Sequence, residues 1–260
     1  MTDTLADEHP GVIARSVEVL RTGLHARLTL TDLGDAVGYS PFHLARLFRS
    51  TVGVPPGEFR RALRFERAKQ LLLRTDLSVT DVCFEVGFNS LGTFSSRFSK
   101  LVGVNPVGFQ RLPDSAGDKP AARVAVPGPA PGAVVRGRIE DPGCDGVYVG
   151  LFPQAIAQAR PVAGAYLPGP GPFEITGMPI GSYRLLAAGF PAGTDALWRL
   201  LPDARTLVGA ALEPCRVRTG GECLHRDVRL RAHDPTEPPV LVALAALSTP
   251  HDPGRTGRAR

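Results

Sequence analysis

The sequence predicts a multidomain α plus β chain: an N-terminal all-α domain, with two helix-turn-helix motifs joined by a linking helix, and a C-terminal antiparallel β-sandwich. Three observations carry that reading. Five of the 25 prolines precede residue 113 and the other twenty lie from 113 onward. Apolar residues recur at helical spacing before that point and in short β-type runs after it. A chain of 260 residues that is 43% hydrophobic can fill a core in each half.

Taken in order, "VIARSVEVLRTGL" places Ile13, Val17, Leu20 and Leu24 on one helical stripe. The chain then repeats itself. Thr31, Asp32, Val37 and Gly38 return 49 residues later as Thr80, Asp81, Val86 and Gly87; Phe48, Gly53, Val54, Pro56, Phe59 and Arg61 return 50 residues later as Phe98, Gly103, Val104, Pro106, Phe109 and Arg111. Each unit reads as a short helix opened by threonine, a tight turn in which glycine takes a positive φ, and a second amphipathic helix. Ser40 is the expected N-cap of the first such helix with Pro41 at its first position, and Ser90 caps the second. Between the units, "PPGEFRRALRFERAKQLLLR" sets Phe59, Ala62, Phe65, Ala68 and Leu72 on one face and Arg60, Arg61, Arg64 and Arg67 on others.

The outer faces of the second helices are the candidate site. With Leu44, Leu47 and Phe48 turned inward, the first presents Phe42, Ala45, Arg46 and Arg49; with Phe94, Phe98 and Leu101 inward, the second presents Gly92, Ser95, Ser96 and Ser99. A helix in the DNA major groove needs small residues for close approach and long donors for base edges. For Phe42 two readings stay open, an exposed wedge or an edge of the core. Charge follows the same division: residues 40–111 hold eleven Arg and Lys against five Asp and Glu, whereas 113–260 hold sixteen against fourteen. The excess sits on the helical half, where Arg60, Arg61, Arg64, Arg67 and Lys100 are candidate phosphate contacts.

From Leu112 the stretch "LPDSAGDKPAARVAVPGPAPGA" has no periodic apolar face, and residues 113–131 read as a linker that leaves the halves loosely joined. "AVVRGRI", "GVYVGLF", "PFEIT", "SYRLLAAGF", "LVGAAL", "HRDVRLRA" and "PVLVALAAL" are then short strands of a domain over 132–249, followed by a tail over 250–260. The longest apolar run is too short to cross a membrane, and the N-terminus lacks a secretory signal, so the expected setting is cytoplasmic with the four cysteines reduced. Cys215, Cys223, His225 and His233 match no zinc-binding spacing, and neither metal nor cofactor is expected.

Residues 10–112 resemble the DNA-binding domain of the AraC/XylS family of bacterial transcription regulators, through "LTDLGDAVGYSPFHLARLFRSTVGVPPGEF", "RRALRFERAKQLL" and "SVTDVCFEVGFNSLGTFSSRFSKLVGVNPVGFQR". That resemblance implies a seven-helix domain placing two recognition helices in successive major grooves of double-stranded DNA. It implies base-reading roles for Phe42, Ala45 and Arg46, then Leu91, Gly92, Thr93 and Ser96, with Arg97 on phosphate or base. RNA polymerase is a further expected partner; a small-molecule effector or self-association belongs to the second half, which modulates activity. Many members carry a long basic residue where this chain has Ser96, and many place the sensing domain first. "GPFEITGMPIGSYRLLAAGF" resembles a transthyretin-like or carboxypeptidase-regulatory-like sandwich, with Tyr183, Leu185 and Ala187 alternating toward the core. The alternative reading is an enzyme fusion: "PCRV" around Cys215 is similar to the Pro-Cys-His-Arg-Val motif of DNA-repair methyltransferases, but Arg216 stands where the activating histidine belongs.

Overall fold

A computed structural model of the chain describes residues 4–115, 125–126, 132–140, 143–191, 193–194, 200–202 and 205–243. The first half is helical: α1 (Thr4–Thr22), α2 (Leu30–Val37), α3 (Pro41–Val52), α4 (Pro56–Arg74), α5 (Val79–Glu85), α6 (Leu91–Val102), α7 (Pro106–Gln110) and the short α8 (Leu112–Ser115). The repeated units are α2–α3 and α5–α6, with α4 between them. The stripe read from α4 is the centre of the core: Phe59, Ala62, Phe65, Ala68 and Leu72 are all buried. Phe65 lies 5.2 Å from the ring of Phe88, 6.0 Å from Phe94 and 6.1 Å from Phe98, so one linking-helix side chain gathers the second unit around it.

The units open two residues earlier than the threonines suggested. Thr29 caps α2 and Ser78 caps α5, each in a reciprocal box with Asp32 or Asp81. The Asp32 carboxylate accepts from the Thr29 N–H at 2.7 Å, and the bonds from Thr29 hold that carboxyl below its ordinary range. Ser40 does stand at the N-cap of α3, but its side chain makes no capping bond and Pro41 presets the first turn; Ser90 caps α6 by accepting from the Thr93 N–H at 3.3 Å. Gly38 and Gly87, at φ of 76° and 80°, form the two turns. Gly53 and Gly103, at 86° and 90°, end α3 and α6. The repeat in sequence is thus a repeat in backbone conformation that an L side chain rarely adopts.

The second half is built from β1 (Ala125–Val126), β2 (Ala133–Glu140), β3 (Cys144–Phe152), β4 (Gly164–Leu167), β5 (Gly171–Met178), β6 (Gly181–Pro191), β7 (Leu207–Ala210), β8 (Cys215–Val217), β9 (Cys223–His225), β10 (Val228–Arg229) and β11 (Arg231–Ala232). Among the described residues one sheet runs β1-β4-β3-β6-β7-β11 with β8 also on β6, and the other runs β10-β2-β5 with β9 also on β2. Pairing is antiparallel except that β9 and β10 lie parallel to β2. They form one edge interrupted at Arg226 and Asp227, where the Arg226 carbonyl crosses so close that a Cβ on Gly137 would sit 1.8 Å from it. Val135, Ile139, Phe173 and Ile175 of one sheet meet Val147, Val149, Leu151, Leu185 and Ala187 of the other in a common core, with Tyr183 packed at its margin.

The two halves are docked, against the loose attachment read from the linker. Ile156, Leu200, Leu241 and Ala243 belong to the helical core. The Ala243 N–H donates to the Val102 carbonyl at 2.9 Å, and the Ala159 N–H donates to the Leu101 carbonyl at 2.5 Å. Lys69 of α4 is buried beneath this contact, donating to the Val240 carbonyl at 3.1 Å; burial pushes its ammonium down to about 7, with the Glu66 carboxylate pulling the other way. The run "PVLVALAAL" is expected as a strand of the second domain, but Val240–Ala243 form no strand: Leu241 and Ala243 pack onto the helices, while Val240 and Val242 pack against Tyr148, Tyr166 and Phe190 of the larger sheet. An apolar run says only that it will be buried, not in which core. Residues 244–249, the tail over 250–260 and most of the linker lie outside the described residues, 113–115 belonging to α8 and 125–126 to β1.

Candidate nucleic-acid interface

Local chemistry explains why α3 and α6 hold the faces they do. In each, the side chains that stack inward, Leu44 and Phe48 or Phe94 and Phe98, are fully buried, which fixes the rotation of the helix about its axis. What remains outside on α3 is Phe42, 89% exposed, together with Arg46 and Arg49, and Ala45 half-buried between them. Phe42 is therefore exposed and not an edge of the core. His43 is exposed beside it and packs on the Tyr39 ring at 5.2 Å. On α6, Leu91, Gly92, Thr93, Ser96, Arg97 and Lys100 are exposed. Ser95 and Ser99 are half-buried, and the Ser99 hydroxyl is spent on the Ser95 carbonyl at 2.7 Å.

The four arginines singled out on α4 have separate fates. Arg60 turns back on the end of α1: its guanidinium donates to the Leu28 carbonyl at 3.0 Å, to Gly23 at 2.9 Å, and to Ala26. Arg64 donates to the Leu24 carbonyl at 2.9 Å and lies beneath Gly87 of the second turn. Partial burial lowers both guanidinium groups, Arg64 further through the charge of Arg60, yet an arginine keeps its proton under such shifts. Arg61 and Arg67 remain exposed, the latter touching Gln70 at 3.4 Å. Arg60 and Arg64 thus satisfy carbonyls of the segment 23–28 that joins α1 to α2.

Between the two units lies a cleft of about 310 Å³. Arg60, Arg61 and Arg64 line it from α4, Arg97 from α6, and Thr29 and Leu30 from the start of α2, with no acidic side chain among its described lining residues. The Arg60 Nε within it is buried without a hydrogen-bond partner. Four cations converging without a counter-charge give the cleft a positive field suited to phosphate. Thr29 and Leu30 are not among the site residues expected from the sequence; the capping box at Thr29 is the available signal, since it starts α2 at this position.

In the second half, Cys215 is buried in β8, and burial pushes its thiol up although Arg226 lies near. Cys223 and His225 are exposed on β9, and His233 sits against the Pro238 carbonyl at 3.4 Å. Among the described residues no group of three or more His, Cys, Asp or Glu side chains is arranged to hold a metal ion. No described helix is long and apolar enough to cross a membrane.

Comparison with known proteins concerns the helical half. A family model described as a helix-turn-helix domain matches residues 33–111. The chain is 35% identical over 104 residues to the HTH-type transcriptional activator AarP of Providencia stuartii, covering 40% of this chain and 76% of that one. It is 32% identical over 103 residues to the HTH-type transcriptional regulator GlxA of Rhizobium meliloti (strain 1021), covering 40% of this chain and 32% of that one. Among solved structures, a transcriptional regulator from Chromobacterium violaceum, described by its AraC-type DNA-binding domain, is 28% identical with a TM-score of 0.38, over 40% of this chain and 93% of that one. The paired units, their basic cleft and the identity with AarP over most of its length lead to one conclusion: the chain belongs to the AraC/XylS family of DNA-binding transcription regulators.

Proposed function

We propose that the chain reads two adjacent major-groove segments of double-stranded DNA with α3 and α6, and that the sheet-bearing half modulates this activity without catalysing a reaction. The observation that carries the reading is the arginine-lined cleft between the units. A DNA backbone crossing from one groove to the next needs neutralisation between the two inserted helices, and that is where the uncompensated charge lies. Phe42, Ala45, Arg46 and Arg49 then face bases or their flanking phosphates from α3. Leu91, Gly92, Thr93, Ser95, Ser96 and Arg97 do so from α6, while Arg61, Arg67 and Lys100 contact the backbone. Residues 10–112 are the DNA-binding domain and 132–249 the modulating one.

Burial of Cys215 supports the non-enzymatic reading, because a nucleophilic cysteine needs a lowered thiol pKa and an open approach. A cytoplasmic regulator that contacts RNA polymerase at its promoters fits the same picture. The test is footprinting of the full chain on duplexes selected from random sequence, with affinity followed against salt. Protection should span two grooves about 34 Å apart on one face of the duplex. Arg61→Ala should reduce the slope of log affinity against log salt by about 0.9. Protection confined to a single groove would remove the two-headed reading, and an unchanged slope would remove Arg61 from the backbone contact.

A further inference from the structure

A cavity of about 260 Å³ separates the outer face of the larger sheet from the C-terminal end of α3. Its floor is the small and aliphatic side chains of β6 and β7, where Leu186 pairs with Ala210 and Ala188 with Val208. Tyr148 and Phe152 of β3 stand at one side, and Thr51 and Val52 of the first recognition helix close it from above. The charged groups on its rim differ in what they have left to offer. Glu237 is held by both terminal nitrogens of Arg231, at 2.9 Å and 2.6 Å. Arg184 is exposed and makes no ion pair or hydrogen bond among the described residues.

A dry cavity of roughly 150 Å³ holds benzene, so this one has room for two fused rings or for one ring with a side chain. Apolar walls with a single unpaired guanidinium at the mouth suit a carboxylate at one end of an otherwise apolar ligand. We propose that this cavity binds a small ring-bearing organic acid, its carboxylate at Arg184, and that occupancy is transmitted to both recognition helices. The second part rests on the DNA-reading role given above.

Transmission has a visible route. The loop 153–161 lines the cavity with Ala155, Ala157 and Pro161, and its other side touches the equivalent ends of α3 and α6. Ala155 lies so near Gly53 that a Cβ there would be 2.7 Å from it, and Arg160 lies beside Gly103. Between them the Ala159 N–H donates to the Leu101 carbonyl. Ala159 is also the one non-glycine described residue with a positive φ, 61°. An alanine held there sits in a sparsely populated conformation that its surroundings must enforce. One strained loop therefore spans both reading helices, and a ligand that displaces it changes the distance between them.

The test uses the full chain with 1-naphthoate and its uncharged counterpart 1-naphthalenemethanol, titrated calorimetrically. Naphthoate should bind once per chain. Arg184→Gln should weaken naphthoate at least tenfold and leave the alcohol within twofold. Ala188→Leu should weaken both tenfold or more by filling the floor; Ala210→Phe, at an exposed position, repeats the blockage if the first variant disturbs the sheet. Affinity is then measured on selected duplexes and on versions with one base pair added between the two half-sites. Naphthoate should shift the ratio of these affinities several-fold in the wild type and leave it unchanged in the filled variants. Absence of saturable binding, or binding that both filled variants retain, overturns the site. Equal losses for acid and alcohol in Arg184→Gln overturn the carboxylate. Binding with an unshifted ratio overturns the transmission. Failure to bind any duplex without ligand strikes the DNA-reading role instead, while the calorimetry still judges the cavity.

Discussion

The units α2–α3 and α5–α6 share a backbone and differ in surface. Both second helices have twelve residues, both end in a left-handed glycine, and both bury two aromatic or aliphatic side chains one turn apart. Yet where α3 carries Phe42, Arg46 and Arg49, the equivalent positions of α6 are Gly92, Ser96 and Ser99, with Arg97 and Lys100 exposed beside them. Backbone grammar thus sets where a helix lies, and the outer face independently sets what it can recognise. Long donors reach base edges; a small hydroxyl-bearing face instead lets the helix itself come close. In the proposed reading, unit one discriminates and unit two seats.

The largest test of this comparison is in the cores. Among the described aromatic rings Phe48 meets Phe59 alone, at 5.4 Å, whereas Phe98 meets Phe65, Phe94 and Phe109 at 6.1, 5.7 and 5.5 Å. Phe98→Ala is expected to cost about 3–5 kcal/mol, with Phe48→Ala toward the lower end of that range. Urea denaturation of the two variants decides it; an inverted order would mean that the aromatic cluster is not what stiffens unit two.

Next in size is a dependence on pH centred on the linking helix and its contact with the second half. Lys69 lies 5.8 Å from the Phe109 ring, and its pKa falls from an ordinary 10.5 to about 7 on burial. The unfolded chain therefore binds the extra proton between pH 7 and 10.5, so Lys69 makes stability rise with pH across that window and fall as pH drops toward 7. The raised carboxyl of the neighbouring Glu66 acts at the acidic end, where Arg21 and His233 oppose it. Lys69→Met should flatten the rise above pH 7, a change on the order of a few kcal/mol, in denaturation midpoints measured from pH 7 to 10.

Base reading comes third. Arg46→Ala should cost about 1–3 kcal/mol on the selected duplex and relax preference at one base position, whereas Ser96→Ala should cost under about 1 kcal/mol. Comparable losses in competition binding would show that both faces discriminate. The smallest contrast is in the caps: Ser90→Ala removes a capping bond worth about 1 kcal/mol, while Ser40→Ala removes none and should change thermal stability by only a few tenths.

The helical half was largely legible because its signals are local. Glycine turns, the buried stripe of α4 and the outward face of α3 all follow from spacing within some twenty residues. The threonine openings missed by two positions because Thr29 and Thr31 are equally plausible caps until Asp32 is seen to close the box from Thr29. Arg60 was legible as a cation but not as a ligand of the carbonyls at 23–28, since that needs the end of α1 placed against α4. The β half was read as strands with less success: "GAYL" of β4 is four residues between proline-rich turns, and the parallel seating of β9 on β2 depends on the close crossing at Gly137. Nothing local in "PVLVALAAL" distinguishes the helical core from the sheet core.

The return of Leu241 and Ala243 to the helices has a consequence for the order in which the chain is made. Chains generally fold from the N-terminus as they emerge from the ribosome. Here the DNA-reading half is synthesised first, but its core lacks its last side chains, and Lys69 its carbonyl partner, until more than a hundred further residues have been translated. A nascent or prematurely terminated chain carries both recognition helices on an open apolar seam. Full closure of that core is reserved for a chain translated through Ala243.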